Sequence, residues 1–136
     1  ALGISQLARL DQFLERRRVL AYRYQKTLSS APFSDIFSLP LVNPGHAWHL
    51  YVIRFHKTGQ RDKAHLFLKE RGIHTQIHYV PIYRHPYYER HFGKIRLPGA
   101  ETFYESCLSI PLFPKMTDSE QDRVIETLAD YAKQAT

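Results

Sequence analysis

A single cysteine, Cys107, in 136 residues excludes an internal disulfide and any zinc site built on a cysteine pair. The six glycines form neither a Walker loop nor a dinucleotide-binding pattern, and no Gly-x-Ser-x-Gly elbow is present. These gaps leave no self-contained catalytic apparatus. Cys107, at the apolar end of a predicted helix, reads as a small hydrophobe. There is no secretory signal, targeting segment, repeat or apolar run of membrane-spanning length. The expectation is a cytoplasmic protein with no membrane partner.

What the chain does contain is ordinary for a folded domain: 43% apolar and 24% charged residues, enough for one core. Its net charge of +6 favours anionic partners without separating nucleic acid from a phosphate-bearing small molecule.

Helical periodicity predicts one helix over residues 2–30, with Leu7, Leu10, Leu14, Ala21, Tyr24 and Leu28 on its stripe and Phe13 and Leu20 widening it. Such a helix reaches about 43 Å, longer than the roughly 37 Å breadth of a ball this size. It is expected to project beyond its domain, and without an N-cap it reads as cut from something larger. The basic run Glu15–Arg18 on it reads as a solvated face rather than an anion site.

"HAWHLYVIRFH" (46–56) reads as a strand covered on both faces, followed by a helix within "TGQRDKAHLFLKERG" that Gly72 caps. "IHTQIHYV" (73–80) reads as a second strand, ended by Pro81. Residues 81–98 are read as irregular, with one helical turn at "PYYERHF". "GAETFYESC" makes a short helix and "LSIPLF" a third strand. "TDSEQDRVIETLADYAKQ" is the final helix, opened by a Thr117/Glu120 capping box. The predicted fold class is α+β: a three-stranded, mostly antiparallel sheet with helices on its faces and one long leading helix. The expected division is a leading helix over 1–30 and a small domain over 31–136.

The stretch 72–93 holds four of the eight histidines. A shared metal ion is a poor reading, because on a strand His74 and His78 point the same way but stand roughly 13 Å apart, far beyond zinc-ligand reach. His46 and His49 face opposite sides of a strand. The basic and aromatic residues His78, Tyr79, Tyr83, Arg84, Tyr87, Tyr88, Arg90 and His91 interleave as a nucleic-acid stacking surface does. No RRM, KH, helix-turn-helix or zinc-finger signature accompanies them, so a nucleic-acid partner is not expected. A small basic nucleic-acid-binding module and a structural or oligomerisation domain, seamed by Leu7, Leu10 and Leu14, stay open as alternatives.

Four phrases in order, "ALGISQLARLDQFLERRR", "HLYVIRF", "GIHTQIHYVPIYRHPYY" and "LPGAETFYESCLSIPLFPKMTDSEQDRVIETL", resemble the C-terminal part of the DegT/DnrJ/EryC1/StrS sugar aminotransferases. The resemblance spans essentially the whole chain and is most specific at "CLSIPLFPKMT" and "TQIHYVP". It implies the C-terminal small domain of a fold-type I, homodimeric, pyridoxal-phosphate enzyme. That enzyme moves an amino group, with glutamate the expected donor, to C4 of a nucleotide-linked 4-keto-6-deoxy sugar. In such enzymes a large-domain lysine in a Ser/His-rich motif forms a Schiff base with the cofactor. Lys26, Lys57, Lys63, Lys69, Lys94, Lys115 and Lys133 all lie outside that motif, as the Asn-Tyr-Arg stretch before "ALGISQL" is also missing.

The resemblance therefore implies no catalytic and no cofactor-binding residue in this chain, and an inactive fragment. It implies a substrate wall at His78 and Tyr79, with Tyr83 where many relatives carry a second histidine, and possible anion contacts at Arg84 and Arg90. An imidazole and a phenol suit that task, since both hydrogen-bond hydroxyls or phosphate and an aromatic face packs on a sugar or base. In the bland reading of the same residues, Tyr79 is core, His78 caps a strand edge and the arginines are solvated.

Overall fold

The structure, a computed structural model, describes residues 2–135; Ala1 and Thr136, the outer ends of the two expected spans, lie outside the described residues. The elements run α1 (Leu2–Leu7), α2 (Leu10–Leu28), β1 (Phe37–Ser38), β2 (Tyr51–Phe55), α3 (Gln60–Glu70), α4 (Pro86–Phe92), α5 (Pro98–Ser106), β3 (Cys107–Ile110) and α6 (Asp118–Ala135). Single 3-10 turns occupy Phe33–Asp35 and Ile82–Arg84. No helix among the described residues is long and apolar enough to cross a membrane.

The fold class is α+β, with a three-stranded antiparallel sheet in the order β1-β2-β3. β2 pairs with β3 from Tyr51↔Ile110 to Arg54↔Cys107, and β1 pairs with β2 at Phe37↔Phe55 and Ser38↔Arg54. All three strands differ in identity or extent from the sequence reading, β3 starting at Cys107 and stopping short of the Pro111–Phe113 end of "LSIPLF". Segment 73–80 is extended but joins the sheet only through the bridge Gln76↔Ser109. Its would-be partner β3 ends at Ile110, before Pro111, which has no N–H to extend the ladder. The third strand is instead β1, whose two residues are too few to show a period. The strand expected over 46–56 is regular only at its C-terminal half.

The leading helix is not continuous. Arg9 (φ −109°, ψ 3°) leaves the helical region, and its N–H bonds the Gln6 carbonyl at 3.1 Å, three residues back. The apolar stripe also divides. Leu20, Ala21, Tyr24 and Leu28 are buried, whereas Ile4, Leu7 and Leu10 are exposed. Residues 81–98, read as irregular, hold α4, which starts with Pro86 at its first position and stops at Gly93 (φ 73°).

The core lies where α2, α3 and α6 meet one face of the sheet, through Tyr51, Ile53, Leu108 and Ile110 from the strands and Leu68 and Leu128 from the helices. Tyr24 and Tyr51 pack with ring centroids 5.0 Å apart, and the Tyr24 hydroxyl donates to the Pro111 carbonyl at 2.9 Å. Burial raises the pKa of both phenols, so they stay neutral. Gln121, fully buried on α6, donates Nε2 to the Leu20 carbonyl at 2.8 Å and ties α6 to α2.

α6 opens with the expected capping box: Thr117 N–H donates to Glu120 Oε2 at 2.7 Å, and Glu120 N–H to Thr117 Oγ1 at 3.2 Å. The Thr117 N–H bond, with a second bond from the Thr117 hydroxyl to Glu120 Oε2 at 3.0 Å, holds the Glu120 carboxyl below its ordinary range, and a hydrogen bond from Arg16 does the same for Asp118. A depressed carboxylate contributes stability that is complete above its unfolded pKa of about 4 and fades as pH falls through the lower folded value. Thermal melts between pH 6 and pH 3 are therefore expected to show a smaller pH-dependent drop in Glu120→Gln than in wild type. An unchanged drop would mean the box carries no pH dependence.

Candidate functional site

The second face of β3 carries Cys107 and Ser109, and the extended segment 74–80 runs along the edge of β3, joined to it by the Gln76 and Ser109 backbone bonds. In that segment Ile73 and Thr75 are buried, and His74, Gln76 and His78, with Ile73 at its floor, line a groove of about 420 Å³ at the end of the sheet where β2 begins and β3 finishes. This alternation is the strand-like period of two, kept although the ladder is not formed. Opposite them stand Ser109, Leu112, Met116 and Arg123, so the groove joins an apolar floor to a polar rim.

His78 is the best-fixed polar group there. Its Nδ1 lies 2.7 Å from Ser109 Oγ, and its backbone carbonyl sits 3.7 Å from the Cys107 thiol. With Nδ1 engaged, Nε2 is the nitrogen left to meet a ligand. Burial pushes the Cys107 thiol upward in pKa, which keeps it protonated and unsuited to nucleophilic work. Thr75 is held from behind by His65 Nδ1 at 2.7 Å.

The remaining predicted site residues do not share that groove. Tyr79 is 75% exposed, edge-on to the His78 ring with centroids 4.6 Å apart. Tyr83 is buried, and its hydroxyl donates to Glu101 Oε1 at 2.7 Å. Arg84 forms an ion pair with the same Glu101 carboxylate and lies 3.7 Å from Glu105 Oε1. Tyr83 and Arg84 thus line a separate polar hollow of about 600 Å³ with Glu89, Lys94 and Arg96. Arg90 is exposed on α4. Sequence reasoning missed Gln76, Ser109 and Glu101. The period of two in 74–78 was available as a signal for Gln76, while Ser109 and Glu101 act across chain separations that leave no local pattern.

Among the described residues no group of three or more His, Cys, Asp or Glu side chains is placed to hold a metal ion. None of the seven lysines lines the groove of His78. Lys57 borders a hollow with Arg54 and His56, and Lys94 borders the hollow of Tyr83. An amine able to receive a cofactor aldehyde is therefore missing from the groove, and the residues present do not by themselves fit pyridoxal phosphate.

A family profile of the DegT/DnrJ/EryC1/StrS aminotransferases matches residues 1–129. The chain belongs to the DegT/DnrJ/EryC1/StrS aminotransferase family. Solved structures agree with this assignment. The aminotransferase TlmJ from Streptoalloteichus hindustanus superimposes with a TM-score of 0.88 at 31% identity, over 98% of this chain and 35% of that one. Helicobacter pylori PseC, an aminotransferase of pseudoaminic acid biosynthesis, gives 0.88 at 27% identity over 98% and 36%. The PLP-form of the putative sugar aminotransferase Spr1654 from Streptococcus pneumoniae gives 0.87 at 25% identity over 99% and 35%. The chain spans about a third of the length of these family members.

Proposed function

We propose that this chain is the C-terminal small domain of a pyridoxal-phosphate-dependent nucleotide-sugar aminotransferase. It supplies one wall of the substrate site through His78 and Tyr79. The carrying observation is the pairing of family membership with a histidine whose Nδ1 is fixed by Ser109 beside an exposed tyrosine. In this reading the complete protein, a homodimer, moves the amino group of glutamate to C4 of a nucleotide-linked 4-keto-6-deoxy sugar. The cofactor and its lysine belong to the large domain, which agrees with a groove lined by no lysine. The cofactor would supply the amino-carrier chemistry from outside this chain.

This chain's share is recognition. His78 Nε2 meets a sugar hydroxyl or a phosphate oxygen, and the Tyr79 ring packs on a sugar or base face. Arg84 and Arg90 sit further along the same segment as candidate contacts to the diphosphate, although Arg84 already spends its charge on Glu101. The likeness to PseC and the "TQIHYVP" phrase favour the sugar whose aminated product is UDP-4-amino-4,6-dideoxy-N-acetyl-L-altrosamine.

The test is direct: the N-terminally extended protein, given glutamate and a panel of nucleotide-linked 4-keto-6-deoxy sugars, is followed by mass spectrometry. Conversion of the keto sugar to an amino sugar is expected, with the UDP-linked N-acetyl sugar the best substrate. No amination of any member of the panel would refute the reading.

A further inference from the structure

The exposed stretch Tyr79–Ile82 is held at both of its ends by a single continuous piece of chain, residues 101–109. At the near end, β3 grips His78 through Ser109 Oγ (2.7 Å) and the Cys107 thiol (3.7 Å). At the far end, α5 grips the 3-10 turn Ile82–Arg84. Glu101 accepts the Tyr83 hydroxyl at 2.7 Å and pairs with Arg84, while Glu105, one helical turn on, stands 3.7 Å from the same guanidinium. Between these two anchors Tyr79 is 75% exposed, Val80 44% and Ile82 61%.

Glu101 is 9% exposed; its Oε1 accepts the Tyr83 hydroxyl, while Oε2 accepts no hydrogen bond and is offset only by the Arg84 charge. Removing either partner would leave this buried charge underpaired, which is costly. α5 is itself immobilised: the Tyr104 ring lies 5.4 Å from the Arg84 guanidinium and 5.2 Å from that of Arg61, which is buried at the start of α3. The geometry points to Glu101 as a positioning residue. Through Tyr83 and Arg84 it fixes the strap Tyr79–Ile82 and so sets where the Tyr79 ring stands in the substrate wall. The structural part concerns this chain alone; the part about substrate rests on the proposed aminotransferase reading. Tyr83 then acts behind the wall, as the strap's anchor.

Backbone amide exchange decides the matter. The Arg84 and His85 amides, which bond the Pro81 and Ile82 carbonyls at 2.9 and 3.1 Å, report the turn. The Ile53 and Leu108 amides report the sheet. In Glu101→Ala the turn amides are expected to exchange about tenfold faster, with the sheet amides unchanged, because opening is local. Truncating a buried carboxylate also threatens folding, so Tyr83→Phe, which removes one oxygen, is measured beside it and is expected to move the same amides. Glu101→Gln keeps an acceptor for Tyr83 and is expected to restore part of the protection. Turn amides at wild-type rates in both Glu101→Ala and Tyr83→Phe would overturn the assignment, as would a rise shared equally by the sheet. Nucleotide-sugar binding by the extended protein is a separate readout. Its absence would sink the proposed function while the exchange result still decides the role of Glu101.

Discussion

Mixed with pyridoxal phosphate, glutamate and a nucleotide-linked 4-keto-6-deoxy sugar, the 136-residue chain is expected to turn nothing over, whereas the extended protein of the proposal is expected to convert the sugar. Enzymes accelerate such reactions at least about a million-fold, so this contrast is the largest effect the account contains. Its physical basis is the groove: His78, Gln76, Ser109 and Arg123 line it, and none of the seven lysines does. Borohydride treatment followed by intact mass should find no stoichiometric pyridoxyl group at any one lysine of this chain. One full equivalent on a single lysine, together with turnover, would show that the chain carries its own catalytic centre.

The second large effect concerns the core that holds the groove in shape. Tyr24 is fully buried, packs on Tyr51, and ties α2 to the end of β3 through Pro111. Tyr24→Ala removes a ring from a closed site and is expected to cost about 3–5 kcal/mol. For a domain of this size that corresponds to a melting temperature lower by about 10–20 °C. Tyr24→Phe keeps the ring and loses only the hydroxyl bond, about 1 kcal/mol. A drop below about 5 °C for Tyr24→Ala in a thermal melt would mean that the core relaxes around the loss.

Why some of this was legible in the sequence and some not follows from the range of the forces involved. The Thr117/Glu120 box was readable because both partners lie within one helical turn. β2 was readable from its aromatic and β-branched residues, but the expected cover on both faces is met on one only: Tyr51, Ile53 and Phe55 are buried, whereas Val52 is half-buried and Arg54 exposed. Segment 73–80 shows the limit of such reasoning. Ile73 and Thr75 are buried and His74 and Gln76 exposed, a period of two that fits a strand, yet burial pattern does not report hydrogen bonding, and only Gln76 joins the sheet. β1 is two residues long and exists because β2 offers it an edge. The break at Arg9 carries no proline or glycine to announce it.

The candidate site divides in the same way. His78 stood out through the resemblance at "TQIHYVP", and the structure adds the partner, Ser109, that orients it. Glu101 was invisible because its partners Tyr83 and Arg84 lie 18 and 17 positions away, in a different element. Ile4, Leu7 and Leu10 stand exposed on the leading helices.

The central claim is that this domain recognises the sugar and leaves the chemistry to the remainder of the protein. The measurement that tests it most directly separates the two half-reactions of the extended enzyme in His78→Ala. Loss of a hydrogen bond to a bound sugar or phosphate is expected to weaken the sugar half-reaction by about ten- to a hundredfold, seen in KM. The glutamate half-reaction should stay at the wild-type rate. Equal losses in both half-reactions, or no loss in either, would contradict the account.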